Sequence, residues 1–132
     1  MAAVLFVCRH NACRSRIAET LGRTLAPASW VVDSAGSHPS ELFDAKAEAV
    51  LARHGLTMRR RKPQGFSALA PRTWDVVVDI SCEKAGKGVP ARSYREWDLA
   101  DPQDGPGELY SRLFRKLERR IRALFNVIQP GA

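Results

Sequence analysis

Near the N-terminus the chain reads Cys8-Arg9-His10-Asn11-Ala12-Cys13-Arg14-Ser15: a cysteine, five residues, an arginine and a hydroxyl. Each residue type has a chemical use there. A thiol at the start of a helix meets unpaired backbone N–H groups and the positive end of the dipole. Such a setting favours a thiolate nucleophile. The same N–H groups cradle a tetrahedral oxyanion, and Arg14 adds a planar fork that holds two of its oxygens. Cys8 is therefore the candidate nucleophile. Arg9, His10, Asn11, Ala12, Cys13, Arg14 and Ser15 form the candidate oxyanion cradle. Ser15 carries two readings: a hydrogen bond to the sulfur, or a cap on the following helix. Asn11 suits a left-handed turn within the loop.

A second group belongs to such chemistry. Protonating a leaving oxygen needs a carboxylic acid, and Asp101 before Pro102 is one candidate. It reads equally as a turn-initiating aspartate, with Asp98 and Asp104 as rivals.

These groups act together only if the fold gathers them. The apolar run at residues 3–7 predicts a buried parallel strand that ends at Cys8. Residues 16–25 predict a helix stopped by Pro27. Residues 30–34 predict a second strand, 37–44 a loop, and 45–54 a helix with Gly55 as its C-terminal stop. Residues 75–80, containing Val76-Val77-Val78, predict a third strand, and 93–97 a short fourth. A long amphipathic helix runs from Ser111 or earlier to Ile128. Leu109, Leu113, Leu117, Ile121, Leu124, Phe125 and Ile128 form its apolar face. Alternating strands and helices make parallel βαβ units, whose ligands sit beyond the strand C-termini. Cys8, Ser34-Ala35-Gly36, Cys82 and Asp101 each follow a strand, so all converge on one rim. Residues 101–107 are rich in turn formers and predict a mobile loop over it.

Composition narrows the partners. The chain of 132 residues has the size of one domain, residues 1–132. Its net charge of +7 favours anionic partners. The densest basic run, Arg59-Arg60-Arg61-Lys62, reads as a solvated loop after a helix. It has no aromatic interleaving and no nucleic-acid motif, so no nucleic-acid partner is expected. No apolar run reaches membrane-spanning length, and the N-terminus lacks a signal peptide's basic region. The expectation is a cytoplasmic protein with no membrane partner. The three cysteines form no metal-ligand spacing, so neither metal nor cofactor is expected. Cys8 and Cys13 lie close enough in the loop to pair under oxidation.

Taken together, Val4-Leu5-Phe6-Val7-Cys8-x-x-Asn11-x-Cys13-Arg14-Ser15-x-x-Ala18-Glu19 resembles the signature of the low-molecular-weight protein tyrosine phosphatases and the related arsenate reductases. Val32-Asp33-Ser34-Ala35-Gly36, Arg53-His54-Gly55-Leu56 and Asp101-Pro102 extend the resemblance from about Ala3 to Phe125. It implies an α/β fold: a three-layer αβα sandwich around a four-stranded parallel sheet, order 2-1-3-4, phosphotyrosine protein phosphatase I-like. It implies a phosphomonoester hydrolase of protein tyrosine phosphatase type, acting through a cysteinyl-phosphate intermediate. Cys8 would be the nucleophile, Arg14 the oxyanion binder, and Asp101, ahead of Asp98 and Asp104, the general acid. Ser34 would support the loop by hydrogen bonding Asn11. The implied partner is a phosphorylated protein or a small oxyanion.

Two departures keep an alternative open. The family's phosphatases carry aromatic residues after Asp-Pro, where this chain has Gln103-Asp104-Gly105. An aromatic wall would then come from Trp97, Phe43 or Tyr110. The loop's His10-Asn11 and Trp97-Asp98 ahead of Asp101-Pro102 look more like the arsenate-reductase branch, which implies a thiol reductant as partner. The thioredoxin-linked form of that branch uses two further cysteines near the end of the third strand. Here Cys82 stands alone, either as an inert strand-end residue or as a supporting thiol.

Overall fold

The computed structural model describes residues 2–128. The elements are β1 (Ala3–Cys8), α1 (Arg14–Leu25), β2 (Val31–Gly36), α2 (Ala45–Arg53), β3 (Trp74–Asp79), β4 (Ala91–Glu96) and α3 (Gly107–Val127), with a 3-10 turn at Phe66–Ala68. The strands pair in parallel in the order β2-β1-β3-β4. This is the α/β fold and strand order the resemblance implied.

The sequence of β1 explains its central place. Ala3 through Val7 are wholly buried, which is why the run is apolar without alternation. Val4 and Phe6 pack under the helices, in one core with Ile17, Leu51, Leu117 and Ile121. Ala3, Leu5 and Val7 face the other way, onto Trp74 and Val77. That second face is covered by Phe66 and Leu69 around the 3-10 turn and by Ala85 and Val89 after β3.

Several boundaries differ from the sequence reading, each for a local reason. Helix α1 starts at Arg14 because the Cys13 carbonyl already accepts from Ile17 N at 2.9 Å. Strand β2 runs on through Ser34-Ala35-Gly36, since these three pair with Phe6, Val7 and Cys8. Helix α3 starts at Gly107, and Leu109 is not part of its buried face: it is 39% exposed. Tyr110 and Phe114 fill the core there instead. Gly55, at φ +74°, ends α2 in the left-handed conformation its position requires. No helix among the described residues is long and apolar enough to cross a membrane.

Candidate active site

Cys8 is the last residue of β1, and the loop that follows folds back over its sulfur. Asn11 sits at φ +52°, a left-handed turn that asparagine tolerates. Its backbone N–H reaches Cys8 Sγ at 3.3 Å. The Ser15 hydroxyl lies 2.9 Å from the same sulfur. Asn11 Nδ2 donates to Ser15 Oγ at 2.8 Å and to Ser34 Oγ at 2.9 Å. The Ser15 oxygen therefore already accepts, and its proton is left for the sulfur. Ser15 does not cap α1: the cap position is Cys13, and no side chain bonds there.

Asn11 is itself held from behind. Its Oδ1 accepts from Gln64 N at 2.9 Å and from Arg61 Nη1 at 3.4 Å. Arg61 Nη2 also donates to Glu19 Oε1 at 2.9 Å and Asp33 Oδ1 at 3.2 Å. Glu19 is buried, and Arg23 and Arg59 pair with its other oxygen. Burial pushes the Asp33 carboxyl up, against the pull of the Ser34 N–H. Burial, and then the charge of Arg61, lower the Arg16 guanidinium.

The basic run is thus not simply a solvated loop. Arg61 is a half-buried brace of the Cys8 loop, and the carbonyls of Arg59 and Arg61 both accept from Arg16 Nη2 at 2.8 Å. The reading of charge runs as surface overlooked Glu19. A carboxylate four residues after Ser15 on a buried helix face requires cations, and this run supplies them.

Arg14 opens α1, and its side chain is almost wholly buried. Nη1 donates to Ile80 O at 2.7 Å and Leu99 O at 3.2 Å, beyond the ends of β3 and β4. Nη2 lies 3.8 Å from Asp101 Oδ2. Asp101 also accepts from Gln103 N at 3.0 Å, so it initiates a turn and faces the arginine at once. The loop at 101–107 is tied down rather than free. Gly105 N bonds Pro102 O at 2.8 Å, and Lys46 Nζ from α2 bonds Gly105 O at 2.7 Å.

Cys8, Arg14 and Asp101 line one cavity of about 230 Å³, with His10, Ala12, Cys13, Phe43, Asp44 and Asp104 among its other walls. Of the aromatic candidates only Phe43 lies there. Trp97 is buried in the core against Phe6, and Tyr110 is buried with its hydroxyl donating to Asp44 Oδ2. Burial pushes the Tyr110 phenol up, and Asp44 adds to this. Burial likewise pushes the Cys13 thiol far up, reinforced by Asp44 and Asp101, so Cys13 is a protonated wall. Arg9 turns away to Glu83 at 3.1 Å, and His38 bonds Ser37, both outside the cavity lining. Cys82 lies outside it too, exposed, with its sulfur 3.9 Å from Arg14 Nη1. Cys8, Cys13 and Cys82 are all free thiols.

Known proteins share this architecture. The chain is 24% identical over 127 residues to the glutaredoxin arsenate reductase of Synechocystis sp. (strain ATCC 27184 / PCC 6803 / Kazusa), covering 94% of this chain and 96% of that one. An arsenate reductase of Archaeoglobus fulgidus DSM 4304 superposes with TM-score 0.79 at 30% identity, over 93% of this chain and 98% of that one. A YwlE mutant from Bacillus subtilis, 18% identical, shares the fold with TM-score 0.79 over 98% and 99% of the two chains. The family model described as low molecular weight phosphotyrosine protein phosphatase matches residues 3–131. On that match, the chain belongs to the low molecular weight phosphotyrosine protein phosphatase family.

Proposed function

We propose that the chain hydrolyses phosphomonoesters, in the manner of a protein tyrosine phosphatase, through a cysteinyl-phosphate intermediate. The observation that carries this reading is the convergence of Cys8, Arg14 and Asp101 on one cavity. The Cys8 thiolate attacks phosphorus while the ester oxygen leaves with a proton from Asp101. Arg14 and the loop N–H groups hold the equatorial oxygens as charge shifts. Its Nη1 bonds to Ile80 and Leu99 orient the guanidinium before substrate arrives. Asp101 then takes a proton from water, which attacks phosphorus and releases phosphate. The Ser15 proton stabilises the departing thiolate. Phe43 offers a face to an aryl leaving group, and the substrate class is a phosphorylated protein.

A second reading, arsenate reduction, draws on Cys82 beside Arg14 and on the arsenate reductases among the relatives. Cys8 would displace hydroxide from arsenate. A second thiol would then attack the Cys8 sulfur, arsenic(V) would leave as arsenic(III) with the electron pair, and a thiol reductant would reopen the disulfide.

Aryl phosphate turnover tests the first reading. The expected result is turnover abolished in Cys8→Ser and lowered about 10²-fold or more in Asp101→Asn. Negligible wild-type turnover, with thiol-dependent arsenate reduction lost in Cys82→Ser, would replace it with the second.

A further inference from the structure

A second groove, of about 430 Å³, lies across Leu42 and Phe43, the two residues it shares with the cavity of Cys8. Its walls are polarised. Glu41 and Glu48 line the α2 side, and the basic run at 59–62 lines the other. Within that run Arg59 and Arg61 are engaged by Glu19 and Asp33. Arg60 and Lys62 are exposed, and neither side chain forms an ion pair among the described residues.

The cationic wall also carries unmet donors. Arg61 Nε is buried with no hydrogen-bond partner among the described residues. Behind it Arg16, 1% exposed, holds a second such donor at Nη1. At the lip between the two depressions Leu42 is 76% exposed, an apolar side chain at the edge of a polar site.

We propose that this groove receives an acidic side chain of a phosphorylated polypeptide, adjacent to the phosphorylated residue held at Cys8. The inference rests on the phosphatase reading and names its substrate class. Three things favour this occupant. The free charge of Arg60 and Lys62 matches a carboxylate. The shared Leu42–Phe43 wall makes groove and cavity immediate neighbours. An extended chain covers ~7–10 Å in two to three residues, which is the reach of a near neighbour of the phosphorylated residue. Leu42 then contacts the backbone or an apolar residue between the two sites.

The test uses phosphotyrosine peptides with three glutamates before, or three after, the phosphorylated residue, against an alanine-flanked peptide. The wild type and an Arg60→Ser/Lys62→Ser double variant are compared, with aryl phosphate as the small-substrate control. The expected result is a kcat/KM for one acidic peptide about three- to tenfold above the neutral one at low salt, shrinking with added salt. The double variant loses that preference and turns over aryl phosphate like the wild type. Equal kcat/KM for all peptides, or a preference unchanged in the variant, overturns the proposal. So does an equal loss on neutral peptide and aryl phosphate, because the two cations would then act on the phosphate itself.

The same fluorescent peptides are also titrated onto Cys8→Ser protein, with and without the groove substitutions. If aryl phosphate turnover is absent, the hydrolase reading fails while this binding still reads the groove. Acid-selective binding that the groove substitutions abolish supports the groove, and unselective binding overturns it.

Discussion

The side-chain amide of Asn11 stands 2.8 Å from the Ser15 hydroxyl oxygen, which in turn stands 2.9 Å from Cys8 Sγ. One residue at φ +52° therefore sets both the path of the loop and the direction of the proton nearest the sulfur. Asn11→Ala removes bonds to Ser15, Ser34, Gln64 and Arg61 and keeps the left-handed backbone without its compensation. A stability loss of about 2–4 kcal/mol is expected. Aryl phosphate kcat should fall about 10²-fold as the loop loses its preset geometry. Thermal melts and steady-state kinetics check both, and near wild-type kcat in a folded variant would refute the brace.

Gly36 makes the closest backbone approach in the region. A Cβ there would lie 2.6 Å from Arg9 O and 2.8 Å from Asn11 N. Both are backbone atoms, so no side-chain rotation relieves the contact. Gly36→Ala should displace the Cys8 loop, with kcat/KM down about 10²-fold or more for a 1 Å misplacement. Gly88→Ala, where nothing lies within 4 Å, is the control and should behave as wild type.

Cys13 should be silent to alkylation. Its thiol is pushed far up by burial and by Asp44 and Asp101, and it is only 6% exposed. Native protein treated with iodoacetamide at neutral pH, then digested for mass spectrometry, should carry label on exposed Cys82 and none on Cys13. Denaturation should equalise the two. Native labelling of Cys13 would contradict the packing described.

Asp79 organises the turn after β3. Its oxygens accept from Ser81 N, Ser81 Oγ, Gly86 N and Tyr94 Oη. Burial alone would raise its pKa, but the bonds from Ser81, Tyr94 and Gly86 outweigh it and hold the carboxyl below its ordinary 3.8. A depressed folded value means stability that is present above the unfolded value and is lost as pH falls through the folded one. Asp79→Asn turns one acceptor into a donor facing donors, at a cost of about 2–3 kcal/mol near neutral pH. The gap between the two melting curves should narrow below pH ~4, and a gap independent of pH would refute the assignment.

Local order made much of this protein legible. The unbroken apolar run of β1, the helix signal after Arg14 and the contiguity of Cys8 with Ser15 place thiol, hydroxyl and guanidinium together by chain connectivity. The strand–helix alternation then orders the sheet. Connectivity says nothing about which distant side chain completes a packed site. Asn11 is braced by Gln64 and Arg61 because the segment after α2 lies beside β2, where Gly36 N bonds Gln64 O at 2.9 Å. The basic run alone read as surface. The aromatic wall is Phe43 because core burial claims Trp97 and Tyr110. Sequence by itself determined the strand, the loop chemistry and the helix that follows, since these depend on neighbours within a few residues. Only the tertiary structure decided which arginine braces the loop and which aromatic ring meets the cavity, because both depend on side chains that packing brings together from far apart in the chain.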